Sequence, residues 1–206
     1  APGYLNPDAE NIMDNANIQN LTGIQVGRIY HTCSPRFKIT DLTHPAVRYA
    51  VEDRRYGYID RDVHSNVWLE NVLAPAYMTP GFYIDDPSAH ILGTYCELAL
   101  PAYAIKELDG WTSAYCAPQI LRSELIASLA EYAGCHLYNT QDDVIYANAN
   151  FVTIHAAYKG KHTLRFKKPC SPYEVYENRY YGHNITELTV EMRIGDTLMF
   201  SLKGPC

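Results

Sequence analysis

The chain has 206 residues, of which 47% are hydrophobic and 19% are charged. These proportions are typical of a globular protein and exclude a disordered, collagen-like or coiled-coil chain. The formal net charge is -6, and the 17 Lys and Arg residues are scattered along the sequence. Without a basic cluster, nucleic acid is not an expected partner. No stretch approaches the roughly 18 to 20 apolar residues of a membrane span, so a membrane is not expected either.

The ends and the cysteines bear on the origin of the chain. It starts at Ala1 in a loop-like segment, APGYLNP, which suggests a fragment or a processed product. No basic segment followed by an apolar one precedes the first element, so a cytoplasmic location is favoured. The six cysteines, at positions 33, 96, 116, 135, 170 and 206, lie far apart. A chain of this length needs no disulfide stapling, so free and mostly buried thiols are expected.

The first segment predicts a helix followed by short strands. Asp8 is a suitable N-cap for a helix that continues to Asn20, and Gly23 is a suitable residue to end it. Residues 24–30 and 36–39 predict strands, because both are short apolar runs. The charged stretch that follows them is predicted to form a loop.

From Thr79 onward the pattern changes to apolar, β-prone runs separated by Gly, Pro or Asp, which predict strands and tight turns. Residues 121–133 are the strongest helix prediction. Leu121, Leu125 and Leu129 fall on one stripe of this helix, and Gly134 follows at its C-terminal cap.

After residue 138 the sequence contains six β-prone runs and no helical pattern. We therefore predict an α/β domain over residues 1–139 and a small all-β antiparallel sandwich over residues 140–206. Turn residues at Lys159-Gly160 and Gly195-Asp196 predict hairpin connections in the second domain.

No motif for covalent catalysis stands out. A nucleophile elbow needs Ser or Cys between two glycines, and neither form occurs. Cys135 follows Gly134 at the end of a predicted helix, where the helix dipole disfavours a thiolate. A cysteine-dependent hydrolase or amidase would use Cys116 or Cys135 with a nearby His. Structural packing is the favoured role of Cys135, since free cysteines are commonly buried.

Neither a metal site nor a cofactor is predicted. His31 and Cys33, or Cys135 and His136, could supply two ligands each, but no third or fourth ligand follows at a known spacing. Glycine-rich phosphate loops are also missing from the sequence. The adjacent carboxylates, such as Asp142-Asp143, occur in turn-like segments and are predicted to be solvated rather than catalytic.

Aromatic residues are the one unusual feature of the composition, with 18 Tyr and 2 Trp. A flat exposed ring can bury the apolar face of a sugar, although Tyr and Trp serve equally well in strands and subunit interfaces. The candidates for carbohydrate contact are Trp68, Trp111, Tyr115, Tyr173 and Tyr176, with Tyr180 and Tyr181 in the same cluster as the last two.

Several segments in order carry a family resemblance. They are APGYL, LTGI, ILGTY, PAYAIKEL, GWTSAYCAPQILRSELIASLAEYAGCHLY and DDVIYANANFVTIHAA. Together they resemble the C-terminal half of bacterial β-galactosidase-like glycoside hydrolases. In that family a catalytic (β/α)8 barrel is followed by a glutamine-amidotransferase-like α/β domain, called the trimerisation domain, and then by a small β-sandwich.

The resemblance implies an amidotransferase-like or flavodoxin-like domain that is incomplete at its N-terminus. The family's two catalytic glutamates belong to the barrel, so no residue of this chain inherits a catalytic role. The loss of the first strands would leave an open sheet edge and an apolar face to be covered. The expected partner is a second copy of the chain or the upstream barrel.

Three hypotheses follow from the sequence. The first is a non-catalytic accessory and oligomerisation region of a glycoside hydrolase. The second is a carbohydrate-binding module that holds oligosaccharides on exposed Tyr and Trp rings. The third is the cysteine-dependent hydrolase, for which neither an elbow nor an assigned base exists.

Overall fold

A computed structural model describes residues 3–57, 78–118 and 121–204. Strands account for 41% and helices for 12% of the described structure. The chain divides into two compact units, Ala1–Leu129 and Ala130–Cys206. This division falls inside a helix, whereas the sequence predicts a domain boundary at residue 140, which stays a prediction. Among the described residues, no helix is long and apolar enough to cross a membrane.

The described part of the first unit contains one short helix, six strands, a 3-10 turn and the start of a second helix. Its elements are α1 (Asn15–Thr22), β1 (Val26–Ile29), β2 (Phe37–Ile39), a 3-10 turn (Pro45–Val47), β3 (Gly81–Ile84), β4 (His90–Tyr95), β5 (Pro101–Leu108), β6 (Trp111–Cys116) and α2 (Ser123–Tyr132).

Capping residues set the ends of α1. Asp14, not Asp8, is the N-cap, and its carboxylate accepts a hydrogen bond of 2.9 Å from the N–H of Ala16. The prediction for Gly23 is confirmed, because this residue adopts φ 72° and its N–H donates to the carbonyl of Gln19. The helix is therefore shorter than predicted at its start and ends where the sequence indicates.

The sheets of the first unit are antiparallel. Strands β2, β4, β5 and β6 form one sheet in that spatial order, and β1 pairs with β3 in a separate ladder. Only Asp109 and Gly110 connect β5 to β6. Parallel strands require a crossover of a dozen or more residues, so a connection this short enforces antiparallel pairing.

Buried aromatic and aliphatic side chains fill the first unit. The Tyr95 hydroxyl donates a hydrogen bond of 2.8 Å to the carbonyl of Phe82, which ties the four-stranded sheet to the β1–β3 ladder. Lys106 donates to the Gly23 carbonyl and to the Asp86 carboxylate, each at 2.7 Å. This lysine therefore links β5 to the end of α1.

The second unit is built from two antiparallel sheets around one hydrophobic cluster. The first sheet has the order β11-β10-β13-β8-β7, and the second consists of β9 and β12. The cluster takes side chains from both sheets, among them Ile154 of β8 and Leu164 of β9. The strands are β7 (Val144–Ala147), β8 (Phe151–His155), β9 (Gly160–Cys170), β10 (Tyr173–Glu174), β11 (Arg179–Tyr180), β12 (Ile185–Met192) and β13 (Thr197–Ser201).

Two predictions about the fold are wrong. The described chain is mostly β with several antiparallel sheets and two α-helices, not an amidotransferase-like or flavodoxin-like α/β domain followed by a separate sandwich. The predicted hairpins at Lys159-Gly160 and Gly195-Asp196 are also wrong. Each of these turns joins a strand of one sheet to a strand of the other, because β8 and β13 pair with each other while β9 pairs with β12.

Candidate functional site

An apolar surface lies on the segment that leads into and through α1. Leu5, Ile12, Met13 and Leu21 are between 51% and 66% exposed. Leu5 and Met13 are partners in an isolated antiparallel bridge, so the two ends of the loop meet. Single exposed apolar residues are normal, but several on one short segment make it a candidate interaction surface. We call these four residues the N-terminal apolar surface.

A hydrogen bond from Asn17 and the close approach of Gly3 to α1 hold this surface in place. Asn17 of α1 is 7% exposed, and its side-chain amide donates to the carbonyl of Asn11 at 2.8 Å. Gly3 lies against the helix, where a Cβ would come within 3.0 Å of Leu21 Cδ2 and 3.1 Å of the Asn17 carbonyl. The loop is therefore packed against the helix through its backbone, and its apolar side chains point outward.

A second candidate site is a cleft of about 570 Å³ in the second unit. One wall is β12, and the other is the beginning of β13 together with the segment around β11. We call it the polar cleft. Its lining residues are Glu177, Arg179, Tyr181, the run from Leu188 to Arg193, Asp196, Thr197 and Leu198.

Glu177, Arg179 and Tyr181 form a hydrogen-bonded triangle in the lining of the cleft. Arg179 Nε donates to Glu177 Oε2 at 2.6 Å, and the Tyr181 hydroxyl donates to the same oxygen at 2.7 Å. The Arg179 guanidinium also lies 4.4 Å from the centre of the Tyr181 ring. The Tyr181 hydrogen bond and the Arg179 pair lower the pKa of Glu177, while burial raises the pKa of Tyr181.

The turn between β12 and β13 also lines the cleft. The N–H of Arg193 donates to Asp196 Oδ2 at 2.8 Å, and Asp196 donates its N–H back to the Arg193 carbonyl. Gly195 supplies the positive φ of 84° that this turn requires. The backbone hydrogen bond is the main cause of the lowered pKa of Asp196.

These carboxylates are suited to binding rather than to acid catalysis. A general acid must stay protonated near neutral pH, which requires a raised pKa. Glu177 and Asp196 have lowered pKa values and are charged acceptors beside arginines. These two carboxylates can therefore accept hydrogen bonds from polar groups and basic side chains, and neither is poised to donate a proton.

A buried ion pair lies elsewhere in the second unit and was missed by the sequence reasoning. Asp143 Oδ2 and His162 Nδ1 are 2.7 Å apart, and both side chains are fully buried. Asp143 also accepts hydrogen bonds from Asn139 and from the N–H of Ala157, each at 3.1 Å. The prediction that Asp143 is solvated is wrong.

The hydrogen-bond geometry indicates how many hydrogens this pair carries. His162 Nε2 lies 3.1 Å from the carbonyl of Tyr158, which can only accept a hydrogen bond, so Nε2 carries a hydrogen. The short contact between Nδ1 and Asp143 needs a second hydrogen, on one atom or the other. His162 has the same strand parity as Leu164 and Phe166, and this alternation was the available signal that it points inward.

The predicted carbohydrate contacts are dispersed. Trp111 is 50% exposed at the start of β6, and Tyr176 is 75% exposed just before β11. Tyr115 and Tyr173 are buried, at 4% and 8% exposure. Trp68 lies outside the described residues. Trp111 and Tyr176 belong to different units.

Solved structures resemble the chain over most of its length. The β-galactosidase from Bacillus circulans sp. alkalophilus is 11% identical with a TM-score of 0.49, and the match covers 90% of this chain and 25% of that one. A catalytic mutant of the GH42 β-galactosidase Gan42B from G. stearothermophilus is 8% identical with a TM-score of 0.48, over 90% and 24% of the two chains. The β-galactosidase from Rahnella sp. R3 is 10% identical with a TM-score of 0.47, over 90% and 25%.

The chain thus spans about a quarter of the length of each of these enzymes. No protein-family model matches it, and no curated protein matches it.

The two cysteines of the hydrolase hypothesis have different surroundings. Burial raises the pKa of the Cys116 thiol, which disfavours the thiolate that a nucleophile needs. Cys135 is exposed after α2, and its neighbour His136 bonds to the carbonyl of Arg165 at 2.9 Å. Within the described ranges, no group of three or more His, Cys, Asp or Glu side chains is arranged to hold a metal ion.

Proposed function

We propose that this chain is a non-catalytic accessory region of a glycoside hydrolase that resembles β-galactosidase. It acts by packing against the catalytic barrel or against a second subunit. The ordered string of sequence segments supports the family resemblance. The N-terminal apolar surface carries the functional part of the proposal.

Burial of the N-terminal apolar surface would stabilise a complex with a partner. Each large apolar side chain that leaves water contributes about 1.5–3 kcal/mol when fully buried. Leu5, Ile12, Met13 and Leu21 are each at least half exposed, so much of this free energy is still available to a partner. Because Asn17 and Gly3 fix the loop, docking would cost little ordering entropy.

Sedimentation velocity tests the proposal. The wild-type chain should associate with itself as its concentration rises, or bind a separately produced barrel from a β-galactosidase-like enzyme. The variant Leu21→Glu should weaken either association, because a carboxylate would have to be desolvated at the interface. The matched control is Ile194→Glu, an exposed apolar residue of the second unit that is 72% exposed.

The wild-type chain remaining a strict monomer, together with no binding to a barrel, would contradict the proposal. So would equal effects of Leu21→Glu and Ile194→Glu, since the association would then not depend on the N-terminal apolar surface.

A second candidate function is carbohydrate binding, favoured by the 75% exposure of the Tyr176 ring, one residue before Glu177 of the polar cleft. An exposed ring beside hydrogen-bonding groups is the arrangement that holds a sugar. Isothermal titration calorimetry with a panel of oligosaccharides should show binding that Tyr176→Ala weakens. Tyr146→Ala is the matched control, since Tyr146 is 72% exposed. Calorimetric traces without heat across the panel would remove this candidate.

A further inference from the structure

The polar cleft contains an unused strand edge. Strand β12 pairs only with β9, in a sheet of two strands. Within the described part of the chain, the backbone groups on its other edge have no strand beside them. An unpaired edge presents alternating N–H and C=O groups to any extended segment that approaches it.

This edge is accessible because it forms a wall of the cleft. All six consecutive residues from Leu188 to Arg193 line the cavity, as expected if the backbone edge itself faces it. The opposite wall begins at Thr197 and Leu198, and the cavity of about 570 Å³ separates the two. Its volume falls in the usual range for bound ligands, roughly 300–1,000 Å³.

The charges beside the edge indicate the chemistry of a partner. Glu187, Thr189 and Glu191 alternate along the exposed face of β12. The residues of β9 that pair with them are Arg165, Thr163 and Lys161, which form a basic, polar, basic pattern. Arg165 lies 3.3 Å from Glu187, and the two threonine hydroxyls are 3.0 Å apart.

We propose that the polar cleft is a strand-addition site for an extended segment of another polypeptide with Lys or Arg at alternate positions. The segment pairs its backbone with the free edge of β12 and places its basic side chains beside Glu187 and Glu191. Backbone hydrogen bonds supply affinity, and the alternating charges supply register and selectivity.

A second copy of β12 does not fit this position. Two β12 strands paired antiparallel about Thr189 would place Glu187 of one opposite Glu191 of the other. Like charges directly opposite each other are destabilising. The site therefore selects a basic partner strand over self-pairing of β12.

The test uses the whole chain and three fluorescein-labelled heptapeptides in anisotropy titrations. The first peptide alternates Lys with Val and Thr, the second carries Glu in place of Lys, and the third keeps Lys but has Pro in place of each Val. Proline removes backbone N–H donors without changing the charge. The first peptide should bind at least about tenfold more tightly than either of the others.

Two double variants distinguish the effect of the acidic face of β12 on binding from the effect of net charge. Glu187→Gln with Glu191→Gln should weaken binding of the Lys peptide by about tenfold. Glu52→Gln with Glu107→Gln, two exposed glutamates of the first unit, removes the same charge and should leave the affinity unchanged. Hydrogen exchange should show added protection of β12 amides when the Lys peptide is bound.

Equal affinity of the Lys and Pro peptides would overturn the proposal, because binding would then need no backbone pairing. Equal effects of the two double variants, or no added protection in β12, would overturn it as well. Self-association of the chain that protects the β12 amides without any peptide would replace the peptide with a second copy of the chain. None of these outcomes depends on the N-terminal apolar surface.

Discussion

The buried pair of Asp143 and His162 leads to a prediction about the free energy of unfolding. The Asp143 carboxylate accepts three hydrogen bonds, from His162, Asn139 and the N–H of Ala157. Asp143→Ala removes both carboxylate oxygens, and with them all three hydrogen bonds, and leaves the buried His162 ring without its partner. Breaking a buried ion pair in this way costs about 3–5 kcal/mol in the free energy of unfolding.

Asp143→Asn should cost less. The amide oxygen still accepts from the N–H of Ala157, and the amide NH2 can donate to Nδ1 of a neutral His162. The contact with the Asn139 side chain then places two donors together, so one hydrogen bond is lost at a cost of about 1–3 kcal/mol. The order of stability is therefore wild type, then Asp143→Asn, then Asp143→Ala.

Urea denaturation followed by circular dichroism measures these differences, and hydrogen exchange of peptides from the second unit locates them. The control is Glu187→Gln, which disrupts an exposed pair and should cost less than about 1 kcal/mol. A loss for Asp143→Ala no larger than that of the control would refute the reasoning. Equal losses for Asn and Ala would refute the hydrogen-bond accounting.

Three further outcomes are expected. Burial tends to raise the pKa of Asp86, but hydrogen bonds from Lys106 and Ser88 outweigh this effect and lower the pKa. The stabilisation of the fold by the charged Asp86 is therefore present above about pH 4 and is lost on further acidification. Asp86→Asn should cost about 2–3 kcal/mol at neutral pH and less in acid, as measured by urea denaturation across pH. Gly57→Ala should destabilise the fold by at least about 2 kcal/mol more than Gly110→Ala. Both glycines have φ near 80°, but only at Gly57 would a Cβ meet a carbonyl oxygen, at 2.1 Å. Equal melting temperatures of the two variants would contradict this prediction. Mass spectrometry after treatment with a thiol reagent should find Cys135 modified in the folded chain and Cys116 protected until unfolding, and rapid modification of Cys116 would contradict its burial.

Local features of the fold could be predicted from the sequence where a single residue decides the backbone. Gly23 ends α1 as predicted, and the predicted helix over residues 121–133 is present as α2. Along β8, Val152 and Ile154 are buried while His155 is exposed, as expected for a strand with one face on the core. These signals involve residues that are close together in the sequence, so they can be recognised from the sequence alone.

Long-range pairing could not be read in the same way. Turn residues such as Gly195-Asp196 indicate that the chain changes direction, but they do not specify which strand the chain pairs with next. The Asp143–His162 pair joins residues 19 positions apart in sequence, and neither residue type predicts the other. The error in the α/β prediction has the same origin, because the resemblance suggested a topology that the short β5–β6 connection does not allow.

The polar cleft follows from this long-range pairing. The Arg193–Asp196 turn sends β13 into the larger sheet while β12 stays with β9, so the two strands that the turn joins are not hydrogen-bonded to each other. A hairpin at this turn would have used the free edge of β12 for β13 and filled the cleft. Because the turn instead connects two sheets, the edge is left open beside acidic side chains. The candidate binding site therefore exists for the same reason that the hairpin prediction is wrong.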